Sequence, residues 1–211
     1  MSASPTREEF MDADMRRLWR RMGPQPGDLR LYGGTALALY RNHRRSTDFD
    51  FATPLAVVDR DFVGGLPWMA GAELRGGPGM VDATLAGHSR ALKVNFMECG
   101  RLIPLPTRKP IVAPNGVAVA HPVDLVAAKM EACCNRGAQR DYEDVAEALS
   151  AWPRWCREGA GKALPNRSWT EIGRALAAPP SEVAAALPPA ALRGLQAFAR
   201  SLGRPDRGLG R

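Results

Sequence analysis

Two glycines, thirteen residues and then two aspartates at spacing two constrain this 211-residue chain more than any other feature. The stretch runs from Leu31 to Phe51. A short apolar strand ends at Gly33 and Gly34, an amphipathic segment follows, and a second strand carries Asp48 and Asp50. In a strand, residues two apart share a face and lie about 6.6 Å apart along the backbone. Two carboxylates so placed repel each other unless a cation lies between them. Phe49 and Phe51 alternate with them, so the other face is apolar and turned inward. A glycine turn that opens a helix near Thr35 offers bare backbone N–H groups, and the threonine hydroxyl, to phosphate. One segment therefore combines a holder for divalent cations with a holder for phosphate, which is what phosphoryl or nucleotidyl transfer requires. Each half read alone has a plainer meaning. Alternating Phe and Asp describes many half-exposed strands, and paired glycines often just let backbones pack closely. The order and spacing favour chemistry. Magnesium suits such a site because it takes oxygen ligands and keeps several waters. Two ions about 3.5–4 Å apart are the expected complement. No G-K-[ST] follows the glycines, so this is not a Walker A loop.

A second informative stretch runs from His121 to Val145. Lys129 lies among Val123, Leu125, Val126, Ala127, Ala128 and Met130, and a buried lysine must be paired or do work. Lys129, Cys133, Arg136 and Arg140 follow nearly one helical stripe, with Gly137 as a bend, and Asp141 and Asp144 share a face at i, i+3. Two readings stand: a salt-bridged helix pair, or a cationic wall that neutralises a triphosphate and is held in place by the acids.

Hydrophobic periodicity organises the rest. A helix is expected over 6–22, with Phe10, Met11, Met15, Leu18, Trp19 and Met22 on one face and Thr6 with Glu9 as a capping box. Strands are expected at 29–32, 47–52, 72–75, 81–85 and 91–99, with a short helix at 35–42 and an interrupted one at 57–69. After a proline-rich crossing (Pro104, Pro106, Pro110, Pro114), helices are expected at 122–135, 141–149, 169–177, 181–187 and 190–202. This order predicts an α+β fold: a small mixed sheet flanked by helices, then a helical C-terminal lobe. The expected divisions are 1–120 for the α/β lobe with its N-terminal helix, 121–203 for the helical lobe and 204–211 for a frayed tail.

Composition narrows the setting. Hydrophobic residues at 45% and charged residues at 24% suit a globular protein with a real core. No apolar run approaches the ~18 residues of a membrane span, and Met1 to Glu9 does not read as a secretory leader, so a cytoplasmic protein without membrane partners is expected. Cys99, Cys133, Cys134 and Cys156 have no zinc-ligand spacing and read as reduced small hydrophobes. The net charge of +7 is concentrated after residue 150, where ten Lys/Arg face four Asp/Glu. That third would attract a polyanion such as RNA, or would simply put solvated arginines on helix backs.

Both motifs together resemble the AbiEii/AbiGii-type nucleotidyltransferase toxins, a branch of the DNA polymerase β-like nucleotidyltransferase superfamily. The first signature stands here as Gly33, Gly34, Thr35, Ala36, Leu37 and then His43 through Phe51; the second as Lys129, Arg136 and Arg140 through Asp144. The resemblance covers about residues 29–150. It implies a magnesium-dependent enzyme, with two ions, that transfers NMP from an NTP. The implied acceptor is RNA, the 3′ end of tRNA, and the implied setting is a toxin–antitoxin system with a cognate antitoxin. Asp48 and Asp50 would hold metal and act in catalysis, and Lys129 and Asp141 would be catalytic. Gly33, Gly34, Thr35, Arg44, Ser46, Arg136 and Arg140 would bind nucleotide. The alternatives are a small-molecule or protein acceptor, or a catalytically silent nucleotide- or RNA-binding module. One departure is visible. Where the superfamily carries a third carboxylate on a later strand this chain has Asn95, and an amide cannot act as general base. Asp141 is one substitute, and Glu98 another if the register differs.

Overall fold

A computed structural model describes residues 4–55, 57–87, 89–100, 103–163 and 167–202. The expected tail, 204–211, lies outside them. The chain divides into two compact units, Met1–Leu125 and Val126–Arg211.

The first unit is built on a seven-stranded mixed sheet of order β3-β4-β5-β2-β1-β7-β6. Its strands are β1 (Arg30–Tyr32), β2 (Asp48–Thr53), β3 (Glu73–Gly77), β4 (Met80–Leu85), β5 (Leu92–Glu98), β6 (Ile111–Val112) and β7 (Ala118–Val119). β2 runs parallel to β5 and β1 parallel to β7; the other neighbours are antiparallel. The period-2 pattern in β2 is realised: Phe49 and Phe51 are buried, while Asp48 and Asp50 are half-buried on the other face. Phe51 stacks on Phe96 at 5.7 Å and meets Trp68 at 5.5 Å, and Trp19 lies parallel to Phe49 at 6.2 Å. Full burial of each such ring stabilises by about 1.5–3 kcal/mol, so this aromatic layer anchors β2 at the centre of the sheet.

Helix α1 spans Ala13–Arg21, shorter than the expected 6–22. Asp12, not Thr6, is the N-cap, and its carboxylate accepts from Met15 N at 2.8 Å. The residues before it are held otherwise: Arg7 N donates to Leu39 O, and Trp19 Nε1 reaches Glu8 Oε1 at 3.2 Å. Helix α2 (Gly33–Arg41) follows β1 directly. The interrupted segment at 57–69 becomes α3 (Arg60–Gly64) and a 3-10 turn at Pro67–Met69. The proline-rich crossing hides β6 and β7, which the sequence does not announce because each is two residues long.

The second unit is helical. Helix α4 (Pro122–Asn135) begins in the first unit and continues into the second, followed by α5 (Gln139–Ala151), α6 (Pro153–Ala163), α7 (Trp169–Ala177), α8 (Ser181–Ala186) and α9 (Pro189–Leu202). α6 was not expected; its Gly159 and Gly161 disguise a helix that buries Cys156, Ala160 and Ala163. Val126, Met130, Tyr142, Val145, Ile172, Leu176 and Leu195 form the core. α4 ends where Gly137 takes φ +60° and its N–H reaches back to Ala132 O, a glycine-stopped helix end. Among the described residues no helix is long and apolar enough to cross a membrane.

Candidate active site

The open face of β2 collects the residues that the glycine–aspartate spacing singles out. Gly33 takes φ +72° at the start of α2, a left-handed conformation that glycine adopts without penalty. A Cβ there would fall within the Asp50 carboxylate, 2.9 Å from its Cγ, so Asp50 lies directly against the glycine hinge. The N-cap of α2 is Tyr32, whose own side chain gives no cap, and the Asp50 carboxylate stands beside this helix start. The Arg44 guanidinium lies against Gly34, where an added Cβ would come 3.1 Å from its Cζ. Thr35 is buried and its hydroxyl donates to the main-chain carbonyl of Asp48, tying helix to strand. Ser46, also buried, donates to Asp48 Oδ1 at 3.3 Å. Gly33, Gly34, Thr35, Arg44, Ser46, Asp48 and Asp50 therefore meet in one place.

Register settles what stands beside the acids. Asp50 pairs across the sheet with Asn95, whose amide donates to Asp50 Oδ1 at 2.7 Å. Glu98 pairs with Thr53 at the far end of the strand and accepts from Val58 N at 3.2 Å, so it is not the missing third carboxylate. The same cross-strand row continues from Asn95 to Asp82 on β4, an exposed acid, and Lys93 stands opposite Asp48. Sequence reasoning passed over both. The alternation of β4 and β5 puts Asp82 and Lys93 on polar faces, but only the register brings those faces into line with Asp50. Two strand spacings separate Asp82 from Asp50, about 9–10 Å, too far for both to grip a single small ion directly.

The donor set can be tested against magnesium. Among the described residues no group of three or more His, Cys, Asp or Glu is arranged to hold a metal. Two half-buried carboxylates of β2 with one amide oxygen nearby fit a hard cation that completes its shell with water and substrate phosphate. They do not suit zinc, which wants a dense nitrogen or sulfur set.

The second motif forms its own cluster in the helical unit. Lys129 is buried, with Nζ 2.7 Å from Asp144 and 3.2 Å from Asp141. Burial disfavours its charge, yet Asp144 and Asp141 outweigh that and hold its pKa above the ordinary lysine value. Arg136 grips Asp141 in a two-pronged bond of 2.7 and 2.8 Å. Asp141 is fully buried, so it faces two cations and no solvent. Arg140 is exposed on α5, beyond the Gly137 break, and does not share the stripe of Lys129 and Arg136.

The solved structures add one finding. The chain resembles a crystal structure described as "putative nucleotidyltransferase from H. pylori", with TM-score 0.54 and 16% identity over 89% of this chain and 91% of that one. That likeness shows a shared fold. No family model matches the sequence, and no curated protein matches it.

Proposed function

We propose that the chain is a magnesium-dependent nucleotidyltransferase that moves NMP from an NTP to an RNA acceptor. One observation carries this reading: the Asp50 carboxylate lies against Gly33 at the start of α2, with Asp48 two residues away on the same face. A carboxylate at a helix N-terminus is favourable in itself. Two carboxylates there, beside a guanidinium, make a place where cations and phosphates meet. Asp48 and Asp50 would hold the divalent ions, which when bound polarise the transferred phosphoryl group and acidify the attacking hydroxyl.

The other residues position and bind. Ser46 orients Asp48, and the Asn95 amide orients Asp50, so neither carboxylate swings freely. Backbone N–H groups at Gly34 and Thr35, with Arg44, receive the triphosphate, while the Thr35 hydroxyl holds α2 against β2. Lys129 and Asp141 act through Arg136 by fixing it; they are positioning residues in this reading. The tRNA 3′ end as acceptor, and a toxin role answered by an antitoxin, follow from the sequence resemblance and from the basic C-terminal third.

Asn95 in place of a carboxylate favours a second reading, a silent nucleotide- or RNA-binding module. Incubating the protein with each labelled NTP, magnesium and total tRNA decides between them. Label on tRNA supports transfer to RNA. Label on protein or on a small acceptor moves the acceptor class, and no label with retained nucleotide binding leaves the silent module.

A further inference from the structure

The helical unit contains a cleft of about 460 Å³. It is lined at the α4–α5 corner by Arg136, on α5 by Tyr142, before α7 by Arg167 and on α7 by Glu171 and Arg174. Three arginines and one glutamate line this small concavity; Asp141, Glu131 and Glu171 already meet two of the arginines, so Arg174 carries the charge that a ligand would answer. Two of the guanidinia are fixed before any ligand arrives. Arg136 is forked onto buried Asp141, and Arg167 reaches Glu131 at 3.1 Å, Asn135, and Glu171 at 3.5 Å. Arg174 is different. It is exposed and makes no ion pair among the described residues. Tyr142 closes the floor, its hydroxyl donating to Ala175 O at 3.3 Å and its pKa pushed up to about 12 by burial, so it stays neutral.

We infer that this cleft is a phosphate-binding site, and that its ligand is a phosphodiester of the RNA acceptor. A planar guanidinium fork matches phosphate oxygens in pairs; Arg174 offers that fork, while Arg136 and Arg167, held in advance by their carboxylates, add the N–H groups those partners leave over. The volume falls in the range of sites for one nucleotide-sized group. The inference rests on the RNA-acceptor reading for the source of the phosphate, but not for the site itself. It replaces the single stripe of Lys129, Arg136 and Arg140 with a set from three elements: Arg136, Arg167 and Arg174.

Binding of the full chain to labelled total tRNA, by anisotropy without magnesium or NTP, tests this apart from catalysis. Arg174→Glu is compared with Arg193→Glu, an equal charge change at an exposed position of α9 that does not line the cleft. Arg174→Ala should lower the salt slope by about one and weaken binding about five- to eightfold near 0.1 M salt. Arg174→Glu should weaken it further, and Arg193→Glu much less. ATP and inorganic phosphate are run as separate arms. Arg174-dependent binding of ATP without RNA keeps the phosphate site but makes the nucleotide its source. Equal losses in the two glutamate variants, or wild-type binding by a folded Arg174→Glu, overturn the site and leave the cleft to an acidic protein segment. A chain that binds RNA through Arg174 yet transfers no label keeps the cleft and loses the enzyme reading; the reverse result does the opposite.

Discussion

The acids of β2 and the acids of α5 are the same residue type at nearly the same spacing, and the fold treats them in opposite ways. Asp141 and Asp144 are fully buried and meet Lys129 and Arg136 within 2.7–3.2 Å. Asp48 and Asp50 are half-buried and are held by a serine hydroxyl, an asparagine amide and a glycine hinge. Internal cations already meet the first pair, and in the reading proposed above it positions Arg136. The second pair stays half-exposed, held by a hydroxyl and an amide, with the Arg44 guanidinium close by at Gly34 and Lys93 across the sheet from Asp48. An acid pair in this chain is thus a candidate for chemistry when its partners fix its direction and the fold leaves it within reach of a ligand.

The comparison breaks first on Asp48→Ala. If the β2 acids are chemical, transfer should fall about 10⁴-fold, about 5.5 kcal/mol of transition-state stabilisation, while thermal unfolding stays within a few degrees of wild type. Label transfer and a melting curve on the same preparation check both halves. Activity that survives would end the metal assignment. The α5 acids predict the converse. Lys129→Met strands two buried carboxylates, and the loss of stability should be about 3–5 kcal/mol by denaturant titration. Its pH dependence has a definite sign. The folded pKa of Lys129 is raised above 10.5, so its contribution is complete below that value and disappears as pH climbs through the folded pKa. The gap between wild type and Lys129→Met should therefore hold steady at neutral pH and close in strong alkali. A gap that widens there would contradict the ion pair.

Much of this was legible in the sequence, and for identifiable reasons. Phe49 and Phe51 alternating with Asp48 and Asp50 fix both the strand and its buried face, because period 2 permits no other arrangement. Pro122 at the first turn and Gly137 past the end bracket α4. Register was not legible. Nothing in one sequence says that Asp50 faces Asn95 and then Asp82, since those pairings depend on strands more than thirty residues away. The N-terminal capping box misled because Thr6 and Glu9 satisfy the local rule, while the segment docks on α2 through Arg7 and leaves Asp12 to cap. Arg167 and Arg174 were invisible as a group because they meet Arg136 only through helix packing.

The hinge sharpens the contrast at a smaller scale. Gly33→Ala forces a left-handed alanine, about 1–2 kcal/mol, and drives its methyl into Asp50, so stability and transfer should both fall. Gly34→Ala meets the guanidinium at the far end of the Arg44 side chain rather than backbone, so stability should change by less than about 1 kcal/mol and KM for the nucleotide should rise instead. Similar losses at both positions would mean that the glycines serve packing alone.

Asn95→Asp is the smallest change and reads the charge of the site directly. It exchanges the amide that donates to Asp50 at 2.7 Å for a second carboxylate beside it. Without divalent ions the two acids repel, and the melting temperature should drop by an amount equal to about 1 kcal/mol. Magnesium should restore it, because a cation between the carboxylates turns that repulsion into two attractions. Wild type should gain less from magnesium, having one carboxylate fewer to neutralise. The Lys129 cluster should not respond at all, since its carboxylates already face cations of the chain's own. A variant whose stability ignores magnesium would mean that Asp50 and Asn95 form a structural pair, and the open face of β2 would then resemble the buried acids of α5 after all.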